Sequence, residues 1–211
     1  MIPDPNRGLL YVLTYSGVEV HEMNSLALLD SVDTGFGQDM ALSADGSTLW
    51  VTAGNGGMAT ISGFALPDLT PLAPIPHGPF VADYICAGVN NKLYLINVGG
   101  LFQLDTITGA SSLIMPRVNQ YLSFLMAVSP DHRELYVGYH EHYPGVLAHF
   151  DISGATPVLR DQRTAQGYVG RLAVSADGGR LAYQENILVP TSTMHLQTLL
   201  TKDFQGPVTE L

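Results

Sequence analysis

Basic residues are scarce in this chain: nine Lys and Arg stand against nineteen Asp and Glu, leaving a net charge of −10 over 211 residues. Arg160 and Arg163 are the closest cationic pair, and Asp161 lies between them. A nucleic-acid partner needs a positive stripe to neutralise phosphates, so that class is excluded. An anionic membrane surface is excluded on the same ground. Cysteine is nearly absent, and a lone Cys86 forbids an internal disulfide while leaving the redox compartment undecided. No apolar run is long enough to span a bilayer, because the densest stretch, 113–128, is broken by Pro116 and Arg117. The opening Met1-Ile2-Pro3-Asp4-Pro5 has neither a basic nor an apolar leader region, so no signal peptide is expected in the chain as given. Only two lysines, Lys92 and Lys202, and few charges overall lean toward an exported, periplasmic or extracellular protein. Catalytic motifs are missing as well: no Gly-X-Ser-X-Gly elbow, no His-Glu-X-X-His and no Gly-X-X-X-X-Gly-Lys loop.

Apolar residues, at 46%, and scattered turn formers, 22 Gly and 13 Pro, are plentiful. With only 13% charged residues the composition is that of a packed domain with many short turns. One phrase recurs. Met40-Ala41-Leu42-Ser43-Ala44-Asp45-Gly46 precedes Leu49-Trp50-Val51, and Met126-Ala127-Val128-Ser129-Pro130-Asp131 precedes Leu135-Tyr136-Val137. Leu172-Ala173-Val174-Ser175-Ala176-Asp177-Gly178 precedes Leu181-Ala182-Tyr183, and a weaker copy, Ile85 to Asn91, precedes Leu93-Tyr94-Leu95. At the start only the second half of the phrase is legible, in Leu10-Tyr11-Val12. The anchoring leucines, 10, 49, 93, 135 and 181, are spaced by 39, 44, 42 and 46 residues. That period, with four short strands per unit and no helical periodicity, predicts an all-β chain of propeller blades.

Each unit divides into an inner strand A, small and apolar; a strand B rich in Leu, Tyr and Val; an alternating strand C such as Val18-Glu19-Val20-His21; and an outer strand D. The expected organisation is a single domain over 1–211 with units at about 5–37, 38–82, 83–122, 123–168 and 169–211. The Ser-Ala-Asp-Gly…Leu-Trp-Val and Ser-Pro-Asp…Leu-Tyr-Val phrases, with Asp-X-X-[Thr/Ser]-Gly closing strand C, resemble the YVTN β-propeller repeats of bacterial and archaeal surface and periplasmic proteins. The resemblance covers nearly the whole chain and implies the fold. The family includes surface-layer proteins, subunits of periplasmic amine oxidation enzymes and lactonase-like enzymes, and usually closes seven blades.

About five blades are expected here, the first starting in strand B with no strand A before Leu9. Two arrangements follow. In one, the tail 206–211 supplies the missing inner strand and closes a five-bladed ring. In the other, favoured by the tail's charge and by the family's habit, the chain is part of a larger, seven-bladed ring. Its open blade edges would then invite self-association.

Ligands of propellers dock where the B–C turns and D–A connections gather. Residues expected there are Gln38, Asp39, Asp83, Tyr121, His140, Glu141, His142, Tyr143, Tyr168, Arg171 and Glu185. Asp39 and Arg171 fall four before Ser43 and Ser175 and can meet across the channel, where the pair either neutralises itself, the favoured reading, or binds a polar ligand. His140 and His142 flank a carboxylate in an extended segment and can ligate a divalent ion, but no third ligand is near. No metal or other cofactor is therefore expected. His21, His149 and His195 are expected exposed on C strands, and His77 in a turn. Cys86, in an inner strand, is expected to be a buried thiol with a raised pKa. The expected function is a recognition or scaffold propeller that binds a protein or small molecule on its loop face, leaning against catalysis. The alternative is a lactonase- or lyase-type enzyme working with Asp39, His140, His142, Arg171 and Glu185.

Overall fold

The computed structural model describes residues 1–54, 59–73, 75, 82–116, 123–140, 145–165, 172–183, 186–190 and 196–199. Among them twenty strands form five antiparallel four-stranded sheets, and the chain divides into two compact units, Met1–Pro116 and Arg117–Leu211. Unit 1 holds the first sheet, β1 (Ile2–Asp4), β2 (Leu9–Leu13), β3 (Gly17–Glu22) and β4 (Leu28–Asp33). Its second sheet is β5 (Gly37–Leu42), β6 (Thr48–Gly54), β7 (Ala59–Ala65) and β8 (Thr70–Pro71). Its third is β9 (Tyr84–Ala87), β10 (Lys92–Asn97), β11 (Gly100–Asp105) and β12 (Ser111–Pro116). Unit 2 holds a fourth sheet, β13 (Ser123–Val128), β14 (Glu134–His140), β15 (Gly145–Asp151) and β16 (Val158–Ala165). Its fifth is β17 (Leu172–Val174), β18 (Leu181–Tyr183), β19 (Asn186–Pro190) and β20 (Leu196–Leu199). Each sheet is a meander with its strands in sequence order, as propeller blades require. Among the described residues no helix is long and apolar enough to cross a membrane.

In the second, fourth and fifth sheets the turn between the first two strands is built by a Ser-X-Asp device. The Ser43 hydroxyl donates to Asp45 Oδ1 (2.7 Å) and accepts the Thr48 N–H (2.9 Å), while Asp45 also accepts the Ser47 N–H. Ser129 with Asp131, and Ser175 with Asp177, repeat the arrangement. The third residue after each serine, Gly46, His132 or Gly178, has φ between 58° and 70°, so two of the three turns use the residue that enters this region without a Cβ penalty. Hydroxyl and backbone donors hold the three aspartates below the usual carboxylate range. The stability they contribute is present above their unfolded pKa and is lost as pH falls through the lower folded value.

The first sheet corrects the sequence reading. It does have an inner strand: β1 pairs with β2 through Ile2↔Tyr11, Pro3↔Leu10 and Asp4↔Leu9. Pro3 and Pro5 disguise it in the sequence. Because β1 is an edge, the N–H that Pro3 lacks can fall on the side that makes no ladder bond. Asp4 stands where the three Ser-X-Asp turns have serine; it accepts the Arg7 N–H and pairs with the Arg7 guanidinium at 2.6 Å. The tail is therefore not needed to complete this sheet.

Alternation sends the two sides of each B strand to different neighbours. Leu49 and Val51 of the second sheet, both fully buried, meet Tyr11, Val18 and Val20 of the first. The opposite side, with Ala41, Trp50 and Ile61, meets Ile85, Leu93, Leu95 and Leu104 of the third. Within unit 2, Tyr136 and Leu147 pack on Leu181 in the same manner. The repeat leucines Leu49, Leu93, Leu135 and Leu181 are all at most 1% exposed. Burying each such side chain contributes about 1.5–3 kcal/mol.

Candidate functional site

In each sheet of unit 1 one end carries the A–B turn, and the other carries the B–C turn and the connection from the preceding outer strand. Asp39 lies near the second end. The register of β5 on β6 slips between Gly37 and Asp39, so exposed Gln38 is the extra residue of a bulge. A bulge re-aims the side chain that follows it. The Asp39 N–H donates to Thr52 Oγ1 (3.0 Å), and its carboxylate accepts the N–H groups of Met40 and Ile85, each at 2.9 Å. The second acceptance crosses from β5 to β9, an edge strand, so one carboxylate joins two sheets. Burial pushes the Asp39 pKa up, opposed by those two N–H donors and by the amino group of Met1.

The sign of the pH effect follows. With its folded pKa above the unfolded value of about 3.9, Asp39 contributes most at low pH, and that contribution is lost as pH rises through the folded pKa. Asp39→Asn is expected to flatten the pH dependence of stability in the window opening at about pH 4. Urea unfolding across that range checks it, and an unchanged slope would show that the carboxylate titrates alike in both states. Cys86, half-buried in β9 opposite Tyr94, has its thiol pushed far above the ordinary range by burial, with the Asp39 charge adding to it. A thiol held neutral in this way is a poor nucleophile.

Asp83 is exposed just before β9, where its N–H donates to Ile96 O (2.7 Å). Tyr84 follows it and is 39% exposed. His140 is the last residue of β14, opposite Ser123. Tyr121, Glu141, His142, Tyr143, Tyr168, Arg171, Glu185, His77 and His195 lie outside the described residues, and so does the expected Asp39–Arg171 pairing. Among the described residues no group of three or more His, Cys, Asp or Glu side chains is placed to hold a metal ion.

His149 is not exposed, contrary to the reading of strand C. It is 7% exposed, stacks on Tyr136 with ring centroids 4.7 Å apart, and its Nε2 hydrogen-bonds Glu134 Oε2 at 2.5 Å. Burial, with the Glu134 charge, lifts the Tyr136 pKa to about 12. His21 is half-buried and bonded to Glu19 and to the Leu26 carbonyl.

Two residues at the B–C end were not foreseen. Tyr15, in the β2–β3 turn, is 80% exposed, and Phe36, between β4 and β5, is 40% exposed. Their rings meet edge to face at 4.9 Å and 84°. The backbone fixes both: Thr34 N–H donates to Ser16 O, Gly54 N–H donates to Phe36 O, and Asp33 Oδ1 accepts the Gly35 N–H. The available signal was an aromatic ring set among Ser, Thr and Gly in each turn, Thr14-Tyr15-Ser16-Gly17 and Thr34-Gly35-Phe36-Gly37. At the A–B end, a 160 Å³ recess between the second and third sheets is lined by Ser43, Asp45, Trp50, Asn91 and Lys92 among others. Its walls are turn residues, with Asp45 held by Ser43 and Ser47 and Lys92 paired with Asp105 at 2.5 Å.

The strand order within the sheets and the side-to-side packing of successive sheets define a β-propeller. Comparison with solved structures agrees. The chain is similar to a Swd1 β-propeller domain from Myceliophteria thermophila (11% identity, TM-score 0.70, covering 92% of this chain and 68% of that one). It is also similar to a chain of Kuenenia stuttgartiensis hydrazine synthase (14% identity, TM-score 0.62, covering 91% and 56%). A third likeness is to a chain of a nidogen–laminin complex (11% identity, TM-score 0.63, covering 90% and 77%). The chain thus spans little more than half of the hydrazine synthase chain. No protein-family model matches it, and no curated protein does.

Proposed function

We propose that this chain is a recognition or scaffold propeller of the YVTN repeat type, without catalysis of its own, that takes a protein or small-molecule ligand at the B–C end of its sheets. The observation that carries this reading is the Tyr15–Phe36 pair. A tyrosine 80% in solvent, held by a rigid turn against a second exposed ring, adds little to the fold. Rigid exposed aromatics of this kind anchor partners, because large apolar area is presented at low entropic cost. The neighbouring polar groups are suited to orienting a ligand. Asp39, whose pKa burial raises, is instead occupied by two backbone N–H groups.

A thermal-shift survey of short peptides and small polar molecules, run on the wild type and on a Tyr15→Ala/Phe36→Ala variant, tests the reading. The expected result is at least one ligand that raises the Tm of the wild type and not of the variant. Ligands that stabilise both proteins equally would place recognition elsewhere. Turnover of any such ligand, lactones included, would overturn the non-catalytic part.

A further inference from the structure

Resting on that reading, we infer that the occupant of the B–C end of unit 1 is a cationic peptide segment, whose Lys or Arg side chains lie over the Tyr15–Phe36 rings and between exposed carboxylates. The surface itself is the aromatic pair, with Tyr84 exposed at the same end of the third sheet. Charge names the occupant. Residues 1–116 contain ten Asp and Glu but only two Lys and Arg, a balance of −8, whereas residues 117–211 contain nine and seven, a balance of −2. Both cations of the first unit, Arg7 and Lys92, sit at the A–B turns, where each is already paired with a carboxylate, Asp4 and Asp105.

The opposite end carries Asp33, Asp39 and Asp83. Asp33 and Asp83 are exposed. Asp33 closes β4 opposite Gly17, in the same turn cluster as Tyr15 and Phe36. Asp39 holds β5 to β9, so the Tyr15–Phe36 corner and the Asp83–Tyr84 corner belong to neighbouring sheets joined at this end. An aromatic face flanked by carboxylates attracts a guanidinium or ammonium by the ring quadrupole and by Coulomb attraction together. An acidic segment meets only repulsion there.

The test uses four N-acetylated octapeptides of one length, bearing lysines, arginines, glutamines or glutamates at alternate positions, titrated against the full chain. The lysine and arginine peptides are expected to bind, and to weaken about tenfold between about 50 and 500 mM salt as screening shortens the reach of the carboxylates. Asp33→Asn/Asp83→Asn should weaken binding about five- to tenfold, and Tyr15→Ala about tenfold. The side-chain carbonyl that Asp33→Asn introduces can still accept the Gly35 N–H, and Tyr15 is solvent-facing, so these variants keep the fold. Asp68→Asn, at an exposed carboxylate in the β7–β8 turn, is expected to change nothing.

Equal weakening by Asp68→Asn would reduce the effect to overall charge and overturn the inference. Binding of the glutamine or glutamate peptides with the same affinity and the same dependence on Tyr15 would overturn the cationic occupant while leaving the recognition reading intact. Binding of no peptide, while other ligands still depend on Tyr15 and Phe36, would likewise overturn only the inference. Loss of all dependence on Tyr15 and Phe36 would overturn both.

Discussion

Gly17→Ala is expected to cost about 3–5 kcal/mol, a large share of a typical domain stability of roughly 5–15 kcal/mol. Gly17 opens β3 at φ 154°, a conformation that L side chains rarely adopt, directly opposite Asp33. A Cβ placed there would lie 2.0 Å from Val32 O, 2.9 Å from Thr34 N and 3.0 Å from Asp33 Cα. All three are backbone atoms of the strand it pairs with and of the connection to the second sheet, so no rotamer change relieves the clash. Gly37 is the contrast. A Cβ there would meet Leu13 Cδ1 at 2.5 Å, the far end of a flexible side chain, so Gly37→Ala should cost far less. Chemical unfolding followed by circular dichroism compares the two, and equal losses would refute the backbone argument.

Trp50→Ala is the second large effect, expected at about 3–5 kcal/mol. The indole is 9% exposed, lies over Gly63 on the neighbouring strand, and packs with Ile85, Leu93 and Leu95 of the third sheet. A Cβ on Gly63 would sit 2.7 Å from the indole Cζ3, so the absence of a side chain there is what lets the ring approach. Removing the ring leaves a cavity between two sheets that the Ile85 N–H to Asp39 hydrogen bond also joins. Trp50→Phe should recover most of the loss. As the chain's one tryptophan, Trp50 also reports on this contact. In the wild type its fluorescence transition should coincide with the circular dichroism transition of unit 1, and an early fluorescence change would show that the sheets part before they unfold.

Much of the fold was legible because its signals are local. The anchoring leucines and the Ser-X-Asp turns repeat within a few residues of one another, and in the structure each serine hydroxyl donates to the aspartate of its own turn. What failed was equally specific. Two prolines hid β1, whose ladder has only one side to satisfy. His149 was misjudged because alternation places a residue on a face without saying what covers that face. Asp39 was found by its position before Ser43, yet its bulge and its reach to Ile85 depend on the third sheet, far away in sequence. The Tyr15–Phe36 contact joins the β2–β3 turn of the first sheet to the connection that leaves β4 some twenty residues later, and nothing in either announces the other.

The second sheet is packed on both sides, by Tyr11 and Val20 through its leucine face and by Leu93 and Leu95 through its tryptophan face. Couplings between adjacent repeats make such an array behave as a short one-dimensional chain of cooperative spins. The middle member feels two couplings. Amide hydrogens of β6 should therefore exchange last within unit 1, and a lesion in the second sheet should lower protection in all three sheets. A lesion on the face of β2 turned away from the second sheet, at Leu10 or Val12, should be felt mainly in the first sheet.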